Sequence, residues 1–224
     1  MLRHSPALVT DGLVFYFDAA NPRCHTSGAT SKDLSANKLT ITWNTAPVVN
    51  TSNLGSVATN VQAWASTTVT VLPSNGYSPL SMEAWVMQTN SSPNWQTFIG
   101  TANQFTQIGA YAGTFAIGRD GGGGGLIVTG LRTITANTWY SFGMVYDGNT
   151  NNTVSAYVNG NCIATGQNIG FRTGTINGPH YIGVFTTQSE WFNGNIAIAK
   201  VYNRALSNTE MRQNFDAHRG RFNL

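Results

Sequence analysis

Acidic residues that could catalyse glycoside hydrolysis are few and scattered in this sequence. That reaction normally needs two carboxylates facing one bond, and alternate positions of a strand would place them on the same face. Glu83 stands alone in its expected strand and Glu190 lies in an expected loop, whereas Glu210 has the spacing of a helix cap. Recognised serine and cysteine nucleophile motifs are also missing. We therefore expect a protein that is not an enzyme.

Aromatic residues near polar loops are the best candidates for ligand contacts. The expected loops are rich in Asn, Gln and Thr, and three aromatic residues lie in or near them: Trp95, Tyr111 and Trp191. Sugar rings stack on aromatic faces and hydrogen-bond to amides and hydroxyls, so these three are the candidate glycan-binding residues. The more common alternative is that they cover the rim of the core or a subunit contact. Trp85 and Trp139 are expected in the core.

Metal ligands at recognised spacings are missing. The four histidines are not paired as zinc ligands are. Calcium takes oxygen ligands, and aspartates in expected loops could supply them: Asp18, Asp33, Asp120 and Asp147. Asx residues are also common turn formers, and a total of nine acidic residues is small for a charged cage. We predict no metal and no cofactor, and calcium is left open.

Charge is scarce throughout the chain. Charged residues make up 9% of the sequence, against about a quarter in ordinary proteins. Four arginines gather near the C-terminus, where they are expected to complement the end of a helix: Arg204, Arg212, Arg219 and Arg221. No run of bases alternates with aromatic residues, so we expect no nucleic-acid partner. A surface of neutral amides and hydroxyls suits packing against neighbours, because desolvating charges is costly.

The cysteine content and the hydropathy of the sequence indicate in which cellular compartment the protein is expected. One disulfide between Cys24 and Cys162 is an option, but two buried free thiols are favoured. The N-terminus lacks the apolar core of a signal peptide, and no stretch is long and apolar enough to cross a membrane. We therefore expect no membrane partner, and a chain that is cytosolic at synthesis or a mature form whose leader was removed.

Short runs of branched, aromatic and alternating residues predict many strands. They fall at residues 13–18, 69–71, 82–87, 97–100, 107–109, 114–117, 139–146, 154–158 and 162–164. Asn159-Gly160 predicts a type I′ hairpin turn. Ser207 and Glu210 have capping-box spacing, which predicts a helix over 207–218. Gly220 is expected to end that helix in a left-handed conformation.

Two long motifs carry a family resemblance. The closing segment, F-x-G-x-I…V-Y-N-R-A-L-S-x-x-E, resembles the end of laminin G-like domains, which are jelly rolls of the concanavalin A-like lectin/glucanase superfamily. The segment W-Y-x-F-x-x-V-Y-D-G…V-x-x-Y-V-N-G resembles the same domains. The resemblance implies an all-β fold, a two-sheet antiparallel jelly-roll sandwich with one short C-terminal helix. Since no linker divides the chain, we expect a single domain over 1–224 with its core at about 12–217.

The resemblance also suggests a function. Laminin G-like domains of this type are found in structural proteins of bacteriophage particles. The resemblance therefore implies a non-enzymatic virion protein of a tailed bacteriophage. This protein would be a capsid decoration, a fibre or a tail component, with adhesion to a host glycan as an additional role. Its expected partners are other virion proteins and further copies of itself, and its expected location is the virion, after synthesis in the host cytoplasm. The rival interpretation is a carbohydrate-binding, lectin-like module of a secreted protein.

Overall fold

Two antiparallel β-sheets of eight strands each make up most of the computed structural model. The structure describes residues 6–60, 63–67, 78–101, 106–119, 127–148, 151–169, 179–185 and 190–224. In chain order the strands are β1 (Leu13–Asp18), β2 (Thr30–Lys32), β3 (Thr40–Trp43), β4 (Val49–Asn50), β5 (Ser56–Thr59), β6 (Ala65–Thr67), β7 (Leu80–Gln88), β8 (Gln96–Thr101), β9 (Thr106–Tyr111), β10 (Thr114–Arg119), β11 (Ile127–Thr133), β12 (Trp139–Tyr146), β13 (Thr153–Val158), β14 (Asn161–Asn168), β15 (His180–Ile182) and β16 (Gly194–Tyr202). One α-helix, α1 (Asn208–His218), and two short 3-10 helices (Thr51–Asn53 and Arg219–Phe222) complete the described elements.

The strand order confirms the predicted all-β sandwich. Sheet A runs β14-β13-β12-β7-β16-β5-β4, and β1 also pairs with β16. Sheet B runs β11-β10-β9-β8-β15-β6-β3-β2. The predicted strands recur in these elements, except that residues 69–71 lie outside the described part of the chain. Asn159 and Gly160 have φ angles of 50° and 72°, as the predicted type I′ turn requires.

Alternating side chains fill the space between the sheets. In β7, Met82, Ala84 and Val86 enter the central core, whereas Trp85 belongs to a separate cluster on the other side of sheet A. This division follows the period of two along a strand. Across the core, the Phe142 ring lies 4.5 Å from that of Phe115 and 5.4 Å from that of Phe98, centroid to centroid.

The predicted cap of α1 is present. Ser207 is the N-cap residue, and its side chain and that of Glu210 accept hydrogen bonds from each other's backbone N–H. Leu206 and Met211 share one buried cluster, as a hydrophobic staple requires. Ser207 therefore begins the helix where the sequence predicted.

Helix α1 ends at His218, as predicted, but the predicted left-handed conformation at Gly220 is wrong. Arg219 has right-handed helical angles, and the chain continues through the 3-10 helix until Asn223, which takes the left-handed conformation with φ 57°. The extra turn brings the Phe222 ring to 4.3 Å from Trp85 and 4.9 Å from Trp139, centroid to centroid. Burying this ring favours the longer helical segment over an early left-handed stop.

The C-terminal segment packs on the outer face of sheet A. The Phe215 ring stacks on Trp85, with centroids 5.4 Å apart. A Cβ at Gly143 would lie 2.5 Å from the Met211 Cε atom, so the end of the Met211 side chain packs closely over this glycine. Within the described residues, no helix combines the length and apolarity of a membrane span.

Both cysteines are free thiols, as favoured from the sequence. Cys24 is buried, but Cys162 is exposed, so the expectation of two buried thiols is wrong for Cys162. The reason is its position on β14, which ends sheet A and therefore has no neighbour on its outer side.

Candidate functional site

The site with the richest polar and aromatic chemistry lies on the outer face of sheet B. We define this face by the side chains of sheet B that point away from the core. In β9, Ile108 and Ala110 enter the core cluster, so Gln107, Gly109 and Tyr111 point outward by the alternation of the strand. Along β9, the face therefore carries the amide of Gln107, the bare backbone of Gly109 and the aromatic ring of Tyr111.

Trp95 fills the gap left by two glycines. A Cβ at Gly118 would lie 2.7 Å from Cη2 of Trp95, and one at Gly109 would lie 3.0 Å from its Nε1. The indole Nε1–H donates to Thr97 Oγ1 at 3.1 Å. Trp95 is only 5% exposed, so its own face is not free to stack on a sugar. The sequence predicted that Trp95 binds a glycan, and its burial contradicts a stacking role. Trp95 instead supports the site from below.

Tyr111 is the exposed aromatic residue above this support. It is 37% exposed, and its ring lies 6.3 Å from that of Trp95, centroid to centroid. Ala112 and Gly113, which follow it, have positive φ angles of 48° and 73° and make the tight turn into β10. The turn and the indole together fix the ring at the margin of the face.

A chain of hydrogen bonds connects a carboxylate to Thr97, the partner of the Trp95 indole. Thr97 Oγ1 donates to Gln107 Oε1, and Gln107 Nε2 donates to Glu190 Oε2 at 3.0 Å. The Glu190 carbonyl also accepts from the Thr97 backbone N–H at 2.8 Å. Glu190 itself has a left-handed backbone, with φ 59°. Glu190 is half-buried, so a fixed and partly accessible anion borders the face.

Trp191 follows directly after this carboxylate. It is half-buried, and its Nε1 atom is enclosed without a hydrogen-bond partner in the described part of the chain. An enclosed donor without an acceptor costs free energy. Trp191 thus adjoins Glu190 in the chain, whereas Trp95 precedes β8 and Tyr111 ends β9, with their rings 6.3 Å apart.

Sequence reasoning missed several members of this site. Gln107, Thr97 and Glu190 are far apart in the chain, and only the pairing of β8 with β9 and the loop before β16 unites them. Tyr181 is a further half-buried aromatic residue. It pairs with Gly100 of β8 and alternates with the core-facing Ile182, which places it on the outer face of sheet B. The alternation of Tyr181 and Ile182 in the sequence of β15 is the signal that could have identified Tyr181 as an outward-facing residue.

The carboxylate that seemed isolated in the sequence has a buried partner. Lys200 Nζ lies 2.9 Å from Glu83 Oε2, and both side chains are at most 1% exposed. Glu83 Oε1 accepts from Trp85 Nε1 at 2.9 Å and from Ser141 Oγ at 3.1 Å. Burial lowers the pKa of Lys200, and the Glu83 carboxylate opposes that shift. This pair lies in sheet A, away from the outer face of sheet B.

The loop aspartates serve mainly as internal partners. Asp18 Oδ1 binds Arg221 at 2.7 Å. Asp33 accepts from the backbone of Tyr16 and Ser35, each at 2.8 Å. Asp147 is exposed, and Asp120 lies outside the described residues. Over the described ranges, no group of three or more His, Cys, Asp and Glu side chains could hold a metal ion together.

Comparison with solved structures finds similar folds in a domain of an arabinanase and in the binding domains of toxins. Domain 4 of AbnA, a GH43 extracellular arabinanase from Geobacillus stearothermophilus solved with arabinotriose, has a TM-score of 0.65 and 19% identity over 92% of this chain and 99% of that chain. The binding domain of Paraclostridial Mosquitocidal Protein 1 has a TM-score of 0.69 and 16% identity over 91% of this chain and 52% of that chain. The binding domain of botulinum neurotoxin DC in complex with SialylT has a TM-score of 0.65 and 13% identity over 93% and 52% of the two chains.

These identities are low, and the likeness is one of fold. The chain spans about half the length of the toxin binding domains that it matches. Among curated protein sequences, none matches this chain. A family model, however, matches residues 58–212, which is more than half of the 224 residues. The chain belongs to the concanavalin A-like lectin/glucanases superfamily.

Proposed function

We propose that this chain is a carbohydrate-binding domain and that it holds its glycan on the outer face of sheet B. The observation that carries the proposal is the exposed Tyr111 ring, which lies against Trp95, together with the Gln107–Glu190 hydrogen bond at the other end of β9. A flat apolar surface next to fixed polar groups matches the two chemical sides of a sugar ring.

Each group has a distinct role in the proposed complex. Tyr111 stacks on the apolar face of a sugar ring. The Glu190 carboxylate accepts hydrogen bonds from sugar hydroxyls, and charge assistance strengthens such bonds. Because Gln107 and Thr97 already hold Glu190 in place, little side-chain entropy remains to be lost on binding. Trp191, next along the chain, extends the aromatic surface.

The comparisons support binding as the general activity. The arabinanase domain was solved with an oligosaccharide, and the toxin domains are binding domains. The arabinanase domain is similar to this chain over nearly its whole length. That agreement in size supports a module with the same general role.

We also propose that the chain does not hydrolyse its glycan. Glu83 is buried against Lys200, and Glu210 is bound by Arg204 and by the helix cap. Glu190 is the remaining glutamate, and glycoside hydrolysis normally needs a second carboxylate opposite the first. Reducing-sugar release that disappears in Glu190→Gln would contradict this proposal.

A glycan array followed by calorimetry tests the binding proposal. The array identifies a ligand, and calorimetry then compares Tyr111→Ala and Glu190→Gln with the unchanged protein. We expect each change to weaken binding by about tenfold, a typical value for the loss of an aromatic contact or a charge-assisted bond. Ile163→Ala is the matched control, because Ile163 is 40% exposed and lies on sheet A. Affinities that change equally in Tyr111→Ala and Ile163→Ala, or an array without any ligand, would contradict the proposal.

The virion role stays a prediction from the sequence. Its supports are the charged fraction of 9% and the motifs of the closing segment. Mass spectrometry of purified phage particles tests it, and a wash in about 1 M salt then tests for neutral contacts, because the Debye length is near 3 Å there. Protein that remains bound to the particles after the wash supports the virion role. Absence of the protein from the particles leaves carbohydrate binding as its function, without a virion context.

A further inference from the structure

Two adjoining depressions lie beside β2 and the segment that precedes it. The first has a volume of about 500 Å³ and the second of about 400 Å³. Arg23 and Lys32 line both of them, and Lys38 lines the second. We call the combined depression the basic cleft. Its lining brings together three cationic side chains in a chain with 9% charged residues.

The cations of the basic cleft are not neutralised by the described part of the protein. Arg23, Lys32 and Lys38 are exposed, and among the described residues their side chains have neither an ion pair nor a hydrogen bond. The arginines near the C-terminus differ, since all of them have carboxylate partners: Arg204, Arg212, Arg219 and Arg221. Like charges held close together repel one another, so the cleft favours an anionic ligand.

The one acidic residue of the cleft lining is occupied internally. Asp33 is 3% exposed. Its Oδ1 atom accepts from the backbone N–H groups of Tyr16 and Ser35, and its Oδ2 atom accepts from Ser35 Oγ and the Leu39 N–H. Burial also raises the pKa of the neighbouring Cys24 thiol to about 12, which keeps it uncharged. Neither group therefore competes strongly with an external anion for the three cations.

Neutral donors accompany the charges. Thr26, Ser27 and Thr30 line the first depression, and Thr40 lines the second. Hydroxyls can donate to an anion and can also bind the hydroxyls of an attached sugar. This mixture of cations and hydroxyls suits an acidic sugar better than a bare ion.

The basic cleft continues the outer face of sheet B. In β2, Ser31 is buried and Lys32 is exposed, so Lys32 points outward by strand alternation. Five steps of the strand order separate β2 from β9, which carries Tyr111. At the usual strand spacing, this separation is about 24 Å. A polysaccharide of a few sugar units could extend from one end of the face to the other.

We propose that the basic cleft binds a carboxylate or sulfate group of an acidic polysaccharide, with Arg23, Lys32 and Lys38 as its cationic contacts. The inference rests on the proposed carbohydrate-binding function and adds a ligand class to it. The cleft uses residues that are separate from Tyr111 and Glu190, so the two ends of the face can be tested independently.

Three polymers with one backbone make the sharpest test: dextran, carboxymethyl-dextran and dextran sulfate, compared by surface plasmon resonance at low and moderate salt. We expect the full chain to bind at least one charged dextran more tightly than neutral dextran. Lys32→Gln and Arg23→Gln should each weaken this binding by about fivefold, as expected for loss of an exposed ion pair. The charged polymer that binds identifies the anion as carboxylate or sulfate.

Arg132→Gln is the matched control. Arg132 is exposed and lies on β11, at the opposite end of sheet B from β2, and its replacement removes the same charge. Equal losses in Lys32→Gln and Arg132→Gln would mean non-specific attraction and would overturn the proposal, as would equal binding of all three dextrans. Charged-dextran binding that survives Tyr111→Ala but not Lys32→Gln would support the basic cleft even if the site at Tyr111 fails.

Discussion

Gly118 lies directly beneath the indole of Trp95. A Cβ at Gly118 would come within 2.7 Å of Cη2 and 3.0 Å of Cζ2 of that ring. Real side chains do not tolerate such distances, so the glycine allows Trp95 to lie flat on the sheet. Tyr111, whose ring centroid is 6.3 Å from that of Trp95, depends on this arrangement. The position of the exposed Tyr111 ring therefore depends on Trp95, and the position of Trp95 depends on the absence of a side chain at Gly118 of β10.

Gly118→Ala should displace Trp95 and weaken glycan binding. The added methyl group overlaps the indole, and overpacking of this kind costs about 1–3 kcal/mol. We expect a lower free energy of unfolding in urea and a weaker affinity for the array-identified glycan. Gly220→Ala is the control, because a Cβ there meets nothing within 4 Å. Unchanged binding in Gly118→Ala would show that Trp95 does not support the ligand contacts.

Lys200→Met should be among the most destabilising single changes in sheet A. It leaves Glu83 buried without its cation, and breaking a buried ion pair typically costs about 3–5 kcal/mol. Denaturant unfolding, monitored by tryptophan fluorescence, measures the loss.

The paired variant Glu83→Gln/Lys200→Met provides the control for this effect. The glutamine removes the uncompensated charge, and its side-chain oxygen can still accept from Trp85 and Ser141. We expect the double variant to regain a large part of the lost stability. A double variant as unstable as Lys200→Met would mean that packing, rather than the buried charge, determines the cost.

The cap of α1 should respond to pH through Glu210. A hydrogen bond from Arg204, followed by one from the Ser207 backbone, lowers the pKa of Glu210 from 4.5 to about 2. A depressed pKa in the folded state means that the stabilisation is present above pH 4.5 and is lost as the pH falls toward 2. Thermal melts should therefore show Glu210→Gln less stable than the unchanged protein near neutral pH, with the difference shrinking in acid. A difference that stays constant with pH would contradict this account.

Ser207→Ala tests the same cap without altering a charge. It removes the side-chain acceptor for the Glu210 N–H, and loss of an N-cap typically costs about 1 kcal/mol. We expect Glu210→Ala to cost at least as much as Ser207→Ala, because Arg204 also binds the Glu210 carboxylate at 2.6 Å. Equal melting temperatures for Ser207→Ala and the unchanged protein would mean that the cap adds nothing to stability.

Local sequence patterns were sufficient for much of the fold. The predicted strand at 82–87 recurs in β7, and the fixed period of a strand places Met82 and Trp85 on opposite faces. Ser207 and Glu210 are close in sequence, so their reciprocal bonds follow from spacing alone. The left-handed conformation at Gly220 was mispredicted because distant packing of Phe222 on Trp85 outweighs a local preference for glycine.

The candidate site was less predictable because its parts meet only in three dimensions. The sequence marked Tyr111 as a candidate glycan-stacking residue, and that role stays a prediction, but it did not reveal that Trp95 would be buried over Gly118. The Gln107–Glu190 bond joins residues 83 positions apart, and no local period encodes such a contact. Likewise, Lys200 becomes the partner of Glu83 only through the pairing of β16 with β7.

The central claim, a glycan on the outer face of sheet B, is tested most directly by the indole N–H resonances of the ¹⁵N-labelled protein during titration with the array-identified glycan. Four of the six tryptophans report on the two faces: Trp95 and Trp191 border the proposed site, while Trp85 and Trp139 lie beneath the C-terminal segment on sheet A. The account predicts saturable shifts for Trp95 and Trp191 and unchanged resonances for Trp85 and Trp139. Shifts confined to Trp85 and Trp139 would contradict it and move the binding surface to sheet A.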